Sequence, residues 1–306
     1  MSVTKTGLIG YSEGNGHPYS FSAIINGYDR QQMEASPYPG IANYLSVREP
    51  EEFGIGDMNV THVWAPDRDI AKNIAECTKI PNVTEHYSNM IDEVDVVLIL
   101  RDDAESHKEI ATPFLEAGKT VFIDKPLCTN LEELEYFKPW LAKGKLMSCS
   151  GFRYYPGIVN RIDGELEPDN IVFSHNISII DWFRYGIHVL EAITPIMGSN
   201  VKWVQDIGEP ENHIVRIQYN DDKYALIQVN TDLGFILRSS FYSDSNQHFT
   251  INYDDNFSCF RGVLKALYKQ VQTGKPAIDP KETETIIRIL IAADTSLKKG
   301  GKKVAV

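Results

Sequence analysis

Apolar positions follow two different rhythms along the chain. Up to about residue 150, short runs of apolar and β-branched residues alternate with longer stretches of helical period. The strand-like runs are Thr6–Gly10, Asn59–Ala65, Val94–Leu100, Val121–Ile123 and Leu146–Phe152. Val94–Leu100 (VDVVLIL) is nearly continuous, as expected of a parallel strand buried on both faces. Helices are predicted over Tyr19–Gly27, Ile70–Lys79, Ser106–Ala117 and Asn130–Lys143. Gly118 closes the third, and Asn130 caps the fourth, with Glu132 and Glu133 in its first turn. Alternation of this kind predicts a doubly wound parallel sheet with right-handed crossovers.

Past Phe152 the runs shorten and are joined by tight polar turns such as Asn220-Asp221-Asp222-Lys223. Strands are predicted at Asn170–Ile180, Val201–Ile207, His213–Tyr219, Tyr224–Asp232, Phe235–Ser243 and Gln247–Tyr253. They imply an α/β domain with an open, mostly antiparallel sheet and helices on one face. The other face is then available to a second subunit, giving a homodimer or homotetramer. The expected division is residues 1–150 and 151–306. Tyr28–Gly56, rich in Pro, Gly, Tyr and charge, reads as an insertion or partly helical loop before the second strand. It lines either a ligand pocket or a subunit contact.

The net charge of −12 repels nucleic acid and anionic membrane surfaces, so a small molecule is the expected partner. Apolar and charged fractions of 42% and 24% are those of a globular protein. No apolar run approaches membrane-spanning length, and the first residues lack a secretory core. The four cysteines are far apart without a CxxC pair, which argues against a metal cage and for free thiols in the cytoplasm.

The chemistry is expected at strand ends. Val121-Phe122-Ile123 runs into Asp124-Lys125-Pro126-Leu127. Proline cannot continue the ladder, so Lys125 is fixed at a carboxyl edge, where open α/β sheets bind ligands. A lysine there can hold its ammonium beside a reacting hydroxyl; the alternative is an ordinary solvated lysine. After the first strand, Gly10, Gly14 and Gly16 allow the tight turn and close backbone approach that a pyrophosphate needs. Glu13 is unfavourable there unless it points away. Asp67 suits the ribose hydroxyls of a dinucleotide, or caps the next helix; Arg68 beside it suits a 2′-phosphate. NAD is therefore preferred only slightly to NADP. Arg101 leaves the Val94–Leu100 strand. His107, opening the next helix, either touches the cofactor or is a satisfied structural histidine.

The run Val94–Leu100, His107, Glu116-Ala117-Gly118-Lys119 and Asp124-Lys125-Pro126 resembles the glucose-fructose oxidoreductase / inositol dehydrogenase / MocA family. The resemblance extends through Phe257–Lys299, similar to that family's closing helices. It departs at the glycine fingerprint and at Asp124, where the family carries Glu. A third departure lies at Arg184-Tyr185-Gly186-Ile187-His188: Gly186 and His188 match the family's Asp-x-Gly-x-His, but Arg184 stands in the acid's place. The resemblance implies a Rossmann domain followed by an open-sheet domain, and hydride transfer between NAD or NADP and a carbohydrate-like alcohol or ketone. It implies proton exchange at His188 assisted by Lys125; a core histidine is the alternative. The cofactor-binding candidates are then Gly10, Gly14, Gly16, Asp67, Arg68, Arg101, His107, Asp124 and Pro126. Arg153, Tyr154 and Arg184 are the substrate candidates, Arg184 favouring an anionic one such as a nucleotide sugar or sugar acid. The rival functions on this scaffold are a redox-neutral lyase or glycosidase using bound NAD, and a non-catalytic cofactor-binding regulator.

Overall fold

The computed structural model describes residues 3–164, 168–246 and 248–306. The chain forms two units. One comprises Met1–Leu127, Phe137–Ser148 and Asn256–Ala277; the other comprises Cys128–Tyr136, Cys149–Asp255 and Ile278–Val306.

The first stretch of chain supplies β1 (Thr4–Ile9), α1 (His17–Asn26), α2 (Arg30–Glu34), α3 (Pro39–Leu45), β2 (Met58–Trp64), α4 (Arg68–Thr78) and β3 (Asn82–Val83). It continues with β4 (Val96–Ile99), α5 (His107–Glu116), β5 (Thr120–Ile123), α6 (Leu131–Ala142) and β6 (Leu146–Ser148). These six strands are all parallel, in the order β3-β2-β1-β4-β5-β6. The doubly wound expectation holds, and strand order reverses between β1 and β4, the place where such sheets bind ligands. Val96–Ile99 are wholly buried, which is why that segment reads as an unbroken apolar run.

The segment before β2 is partly helical, carrying α2 and α3. Tyr38 lies 5.4 Å from the Tyr19 ring, and Phe53 lies 5.8 Å from Tyr28.

Later in the chain come α7 (Pro156–Ile162), β7 (Ile171–Ile179), α8 (Ile187–Met197), β8 (Val201–Asp206), β9 (Asn212–Tyr219) and β10 (Tyr224–Asn230). They are followed by β11 (Arg238–Ser243), β12 (Phe249–Asn252), α9 (Asn256–Thr273), α10 (Pro280–Lys298) and β13 (Val304–Ala305). The strand expected from Gln247 begins at Phe249; Gln247 itself lies outside the described residues. α9 belongs to the first unit. Its Phe260 meets Phe21 at 5.0 Å, and Gln270 Nε2 donates to the carbonyls of Gly144 (3.1 Å) and Leu146 (3.2 Å).

The second sheet runs β12-β11-β7-β10-β9-β8-β13. Every pairing is antiparallel except β7 with β10. Alternate residues Val215, Ile217, Ala225, Ile227, Val229 and Phe241 face inward and are buried. α8 and α10 cover this side, packing against β7 and β8. Ile214 and Tyr242 are exposed on the other face. Among the described residues no helix is long and apolar enough to cross a membrane.

Candidate active site

Three loops at the carboxyl edge of the first sheet are tied to one another. Lys125 follows β5 and is only 3% exposed. A buried ammonium requires a counter-charge, and Asp102 Oδ2 lies 3.8 Å from its Nζ. Asp102 follows β4, and its backbone N–H donates to Ser12 Oγ at 3.0 Å. The Ser12 hydroxyl in turn donates to Asp102 Oδ1. Lys125 is thus held by a carboxylate that is itself positioned by the turn after β1.

Asp124 is 2% exposed. His17 Nδ1 lies 2.6 Å from its Oδ2, Asn15 Nδ2 donates to the same oxygen at 2.9 Å, and the Lys125 backbone N–H donates to Oδ1 at 2.8 Å. Burial pushes this carboxyl up. The facing His17, the Lys125 charge and the Asn15 hydrogen bond more than offset that, holding it well below the usual carboxylate range. The carboxylate is therefore occupied within the protein and orients its neighbours. Pro126 is buried beside it.

The glycines of the turn after β1 are required by its backbone and by the side chains packed against it. Gly14 has φ +82°, and a Cβ at Gly16 would come within 3.2 Å of Tyr38 and Ile41. A Cβ at Gly10 would meet Pro18 at 3.2 Å. The His17 N–H at the start of α1 donates to Asn15 Oδ1 at 2.9 Å. Glu13 is exposed, so its charge points into solvent. Arg101 grips Asp103 through Nε (2.9 Å) and Nη2 (2.6 Å), and its Nη1 donates to the Tyr11 carbonyl at 3.1 Å. His107 is fully buried, with Nδ1 3.0 Å from the Leu127 carbonyl and Nε2 2.8 Å from that of Arg101. Both residues brace the edge. Asp67 caps α4, accepting the Asp69 N–H at 2.8 Å, and stays exposed; Arg68 is paired with Glu85.

In the second unit, a π-helical turn over Trp182–Gly186 delivers His188 to α8. Asp181 caps that turn by accepting the Arg184 N–H at 2.7 Å. Gly186 is needed because a Cβ there would lie 2.6 Å from the Trp182 ring. Ser150 Oγ is 2.6 Å from His188 Nδ1. Phe152 and Tyr185 flank the imidazole, with ring centres at 5.0 and 5.3 Å.

Glu191, one turn further along α8, is buried against Arg153. The Arg153 Nε donates to Glu191 at 2.6 Å and its Nη1 donates to Glu282 at 2.5 Å. Burial pushes the Glu191 carboxyl up, against the pull of Arg153. Burial also lifts the Tyr154 hydroxyl well above the usual phenol range. Arg153, expected to reach substrate, instead sits between two carboxylates. Arg184 is half-buried within the π-helical turn. Among the described residues no three His, Cys, Asp or Glu side chains gather as metal ligands.

Several residues at these two places were not read from the sequence. Ser12, Asn15 and His17 sit among the glycines already singled out, and Glu191 lies three residues after His188 on the same helix face. Asp102 adjoins Arg101.

The first sheet has the 3-2-1-4-5-6 order of a Rossmann fold with a glycine turn at its switch point, and the second is an open mixed sheet. Residues 40–151 match the Gfo/Idh/MocA family model, "Oxidoreductase family, NAD-binding Rossmann fold". The Salmonella typhimurium protein YceM is 36% identical over 89 residues, covering 29% of this chain. That match spans only 28% of the relative's length. The apo scyllo-inositol dehydrogenase of Lactobacillus casei superposes with a TM-score of 0.76 at 15% identity, over 99% of this chain and 98% of that one. A second structure of that Lactobacillus casei protein, with bound NAD(H) and scyllo-inositol, gives 0.73 at 14% identity over 99% of each chain. At such identities the likeness establishes the fold.

The depressed Asp124 carboxyl makes a stability prediction. A group whose folded pKa lies below its unfolded value of 3.8 contributes stability that is complete above that value and is lost as pH falls through the folded one. Asp124→Asn should therefore be less stable than the parent at neutral pH. The gap should close as pH drops below about 4, followed by urea unfolding at each pH. A gap independent of pH would contradict the ionised carboxylate.

Proposed function

We propose that the protein is an NAD(P)-dependent oxidoreductase acting on a carbohydrate-like alcohol or ketone, in the cytoplasm. The observation that carries this reading is the buried Lys125–Asp102 pair at the carboxyl end of β5, within a segment that matches an NAD-binding Rossmann family. A pyrophosphate at the glycine turn is supported by the positive-φ backbone at Gly14 and by Glu13, the acid within the turn's own residues 10–16, facing solvent. Gly10, Gly14 and Gly16 hold the phosphates in this reading, and Asp67 takes the ribose hydroxyls through the oxygen its cap leaves over. Arg68 is already paired with Glu85, which supports NAD over NADP. The bound nicotinamide supplies a hydride acceptor or donor.

The remaining chemistry is assigned to side chains of this chain. Lys125, held by Asp102, positions the substrate oxygen and stabilises the negative charge that develops on it. His188, whose Nδ1 is engaged by Ser150, exchanges the hydroxyl proton through Nε2. The Arg153–Glu191–Glu282 group sets the face of α8 that presents His188. Arg184 binds a carboxylate or phosphate of the substrate. The exposed face of the second sheet pairs with another copy of the chain, supported by Ile214 and Tyr242 standing exposed on it.

Turnover on a panel of sugars, cyclitols and nucleotide sugars, followed by reduced-nicotinamide absorbance, tests the reaction class. Lys125→Ala should lower turnover by at least about 100-fold; near-normal turnover would defeat its role. A redox-neutral lyase would convert substrate with no net absorbance change, and a regulator would bind cofactor without turnover. Arg184→Ala should raise KM for an anionic substrate by about tenfold or more. Unchanged affinity would remove the preference for an anion. Ile214→Glu should shift the oligomer towards monomer in light scattering; an unaltered mass would place the contact elsewhere.

A further inference from the structure

The second unit contains a cavity of about 460 Å³ behind the π-helical turn, away from Ser150 and Arg153 in its lining. Asp181, Phe183, His213, Asp294, Leu297 and Lys298 line it. Its defining feature is the imidazole of His213, whose side chain is 9% exposed. His213 Nδ1 lies 2.6 Å from Asp206 Oδ2. Asp206 is fully buried, and its other oxygen accepts the backbone N–H groups of Gly208 (3.0 Å) and Ile214 (3.1 Å). That carboxylate is an acceptor on every side, so it takes the Nδ1 proton and fixes the ring. The opposite face of the ring rests on Trp182, with centres at 5.8 Å. Nε2 has no hydrogen-bond partner among the described residues. The ring is mostly buried and locked at one nitrogen, and its other nitrogen is left to whatever occupies the cavity it lines.

We propose that this cavity is a second small-molecule site, taking a compact ligand that bears a primary amine. The charges select it. Two carboxylates, Asp181 and Asp294, face one ammonium, that of Lys298, which is 2.7 Å from Asp294. An anion entering the cavity meets net negative charge, whereas a cation is attracted. The ligand's ammonium donates to His213 Nε2 and to the Asp181 carboxylate, and Phe183 offers an aromatic face to it. The volume accommodates a single hexosamine-sized ring. Asp181 also caps the turn that leads into His188, so the occupant touches the element that presents that histidine. Binding here is independent of turnover and of any cofactor.

The test is a titration of the full chain with glucosamine, observed through the His213 ring resonance in NMR. The resonance is identified by its absence in His213→Gln. A saturable shift at millimolar ligand is expected, with glucose 6-phosphate weaker by at least about tenfold, or 1.4 kcal/mol. Leu297→Trp, which fills the cavity from α10, should abolish the shift while preserving the unfolding midpoint. Asp294→Asn, which removes one carboxylate, should weaken binding by about tenfold and serves should the tryptophan variant not fold. The proposal is overturned if glucosamine leaves the His213 resonance unmoved, if glucose 6-phosphate binds equally well, or if Asp294→Asn or folded Leu297→Trp binds as the parent does.

Discussion

Burying a carboxylate costs several kcal/mol unless its lone pairs are met, and Asp124 lies at the turn leaving β5 almost out of reach of water. It is met by the His17 ring, the Asn15 amide and the backbone N–H of Lys125. Two of these come from the glycine turn that follows β1. The carboxylate therefore joins the turn suited to phosphates to the strand end that carries the buried lysine. Lys125 has its own link to the same turn, through Asp102 and Ser12. Neighbouring strand ends are in this way locked by charge rather than by apolar packing, which places donors at a carboxyl edge without filling it with side-chain bulk.

The second unit solves its polar problem in the same manner. Arg153 is sandwiched between Glu191 and Glu282, and Asp206 is enclosed by His213 and two backbone amides. Truncating one member of such a group leaves a buried charge uncompensated, so these residues act as fixed reference points. Ser150 and Phe152, just before Arg153 in sequence, fix the His188 ring from the other side. One nitrogen of that ring is thereby committed, and its plane is set by aromatic neighbours.

The parts of the fold legible in the sequence were those with strong local pattern. Val96–Ile99, buried on both faces, could be seen as a parallel strand, and the alternation in β9 to β11 could be seen as a half-covered sheet. β3 escaped because two residues carry no period. α9 has an ordinary amphipathic pattern, but nothing local says that it packs in the unit formed mainly by the start of the chain. The site was half visible for the same reason. Lys125, His188 and the three glycines stand out by type and position. The His17–Asp124 contact joins residues 107 apart, and the Arg153–Glu282 contact joins residues 129 apart. Such partners are set by tertiary closure, so Arg153 looked available to substrate and Asp124 to cofactor. Asp67 illustrates a residue whose two readings coexist: its cap uses one oxygen and leaves the other over.

The dinucleotide reading is tested most directly by titrating the full chain with NAD, NADH, NADP and NADPH and measuring the heat of binding. Saturable binding of NAD and NADH, tighter than that of the phosphorylated pair, is the predicted result. Absence of binding by all four nucleotides to the folded protein would contradict it.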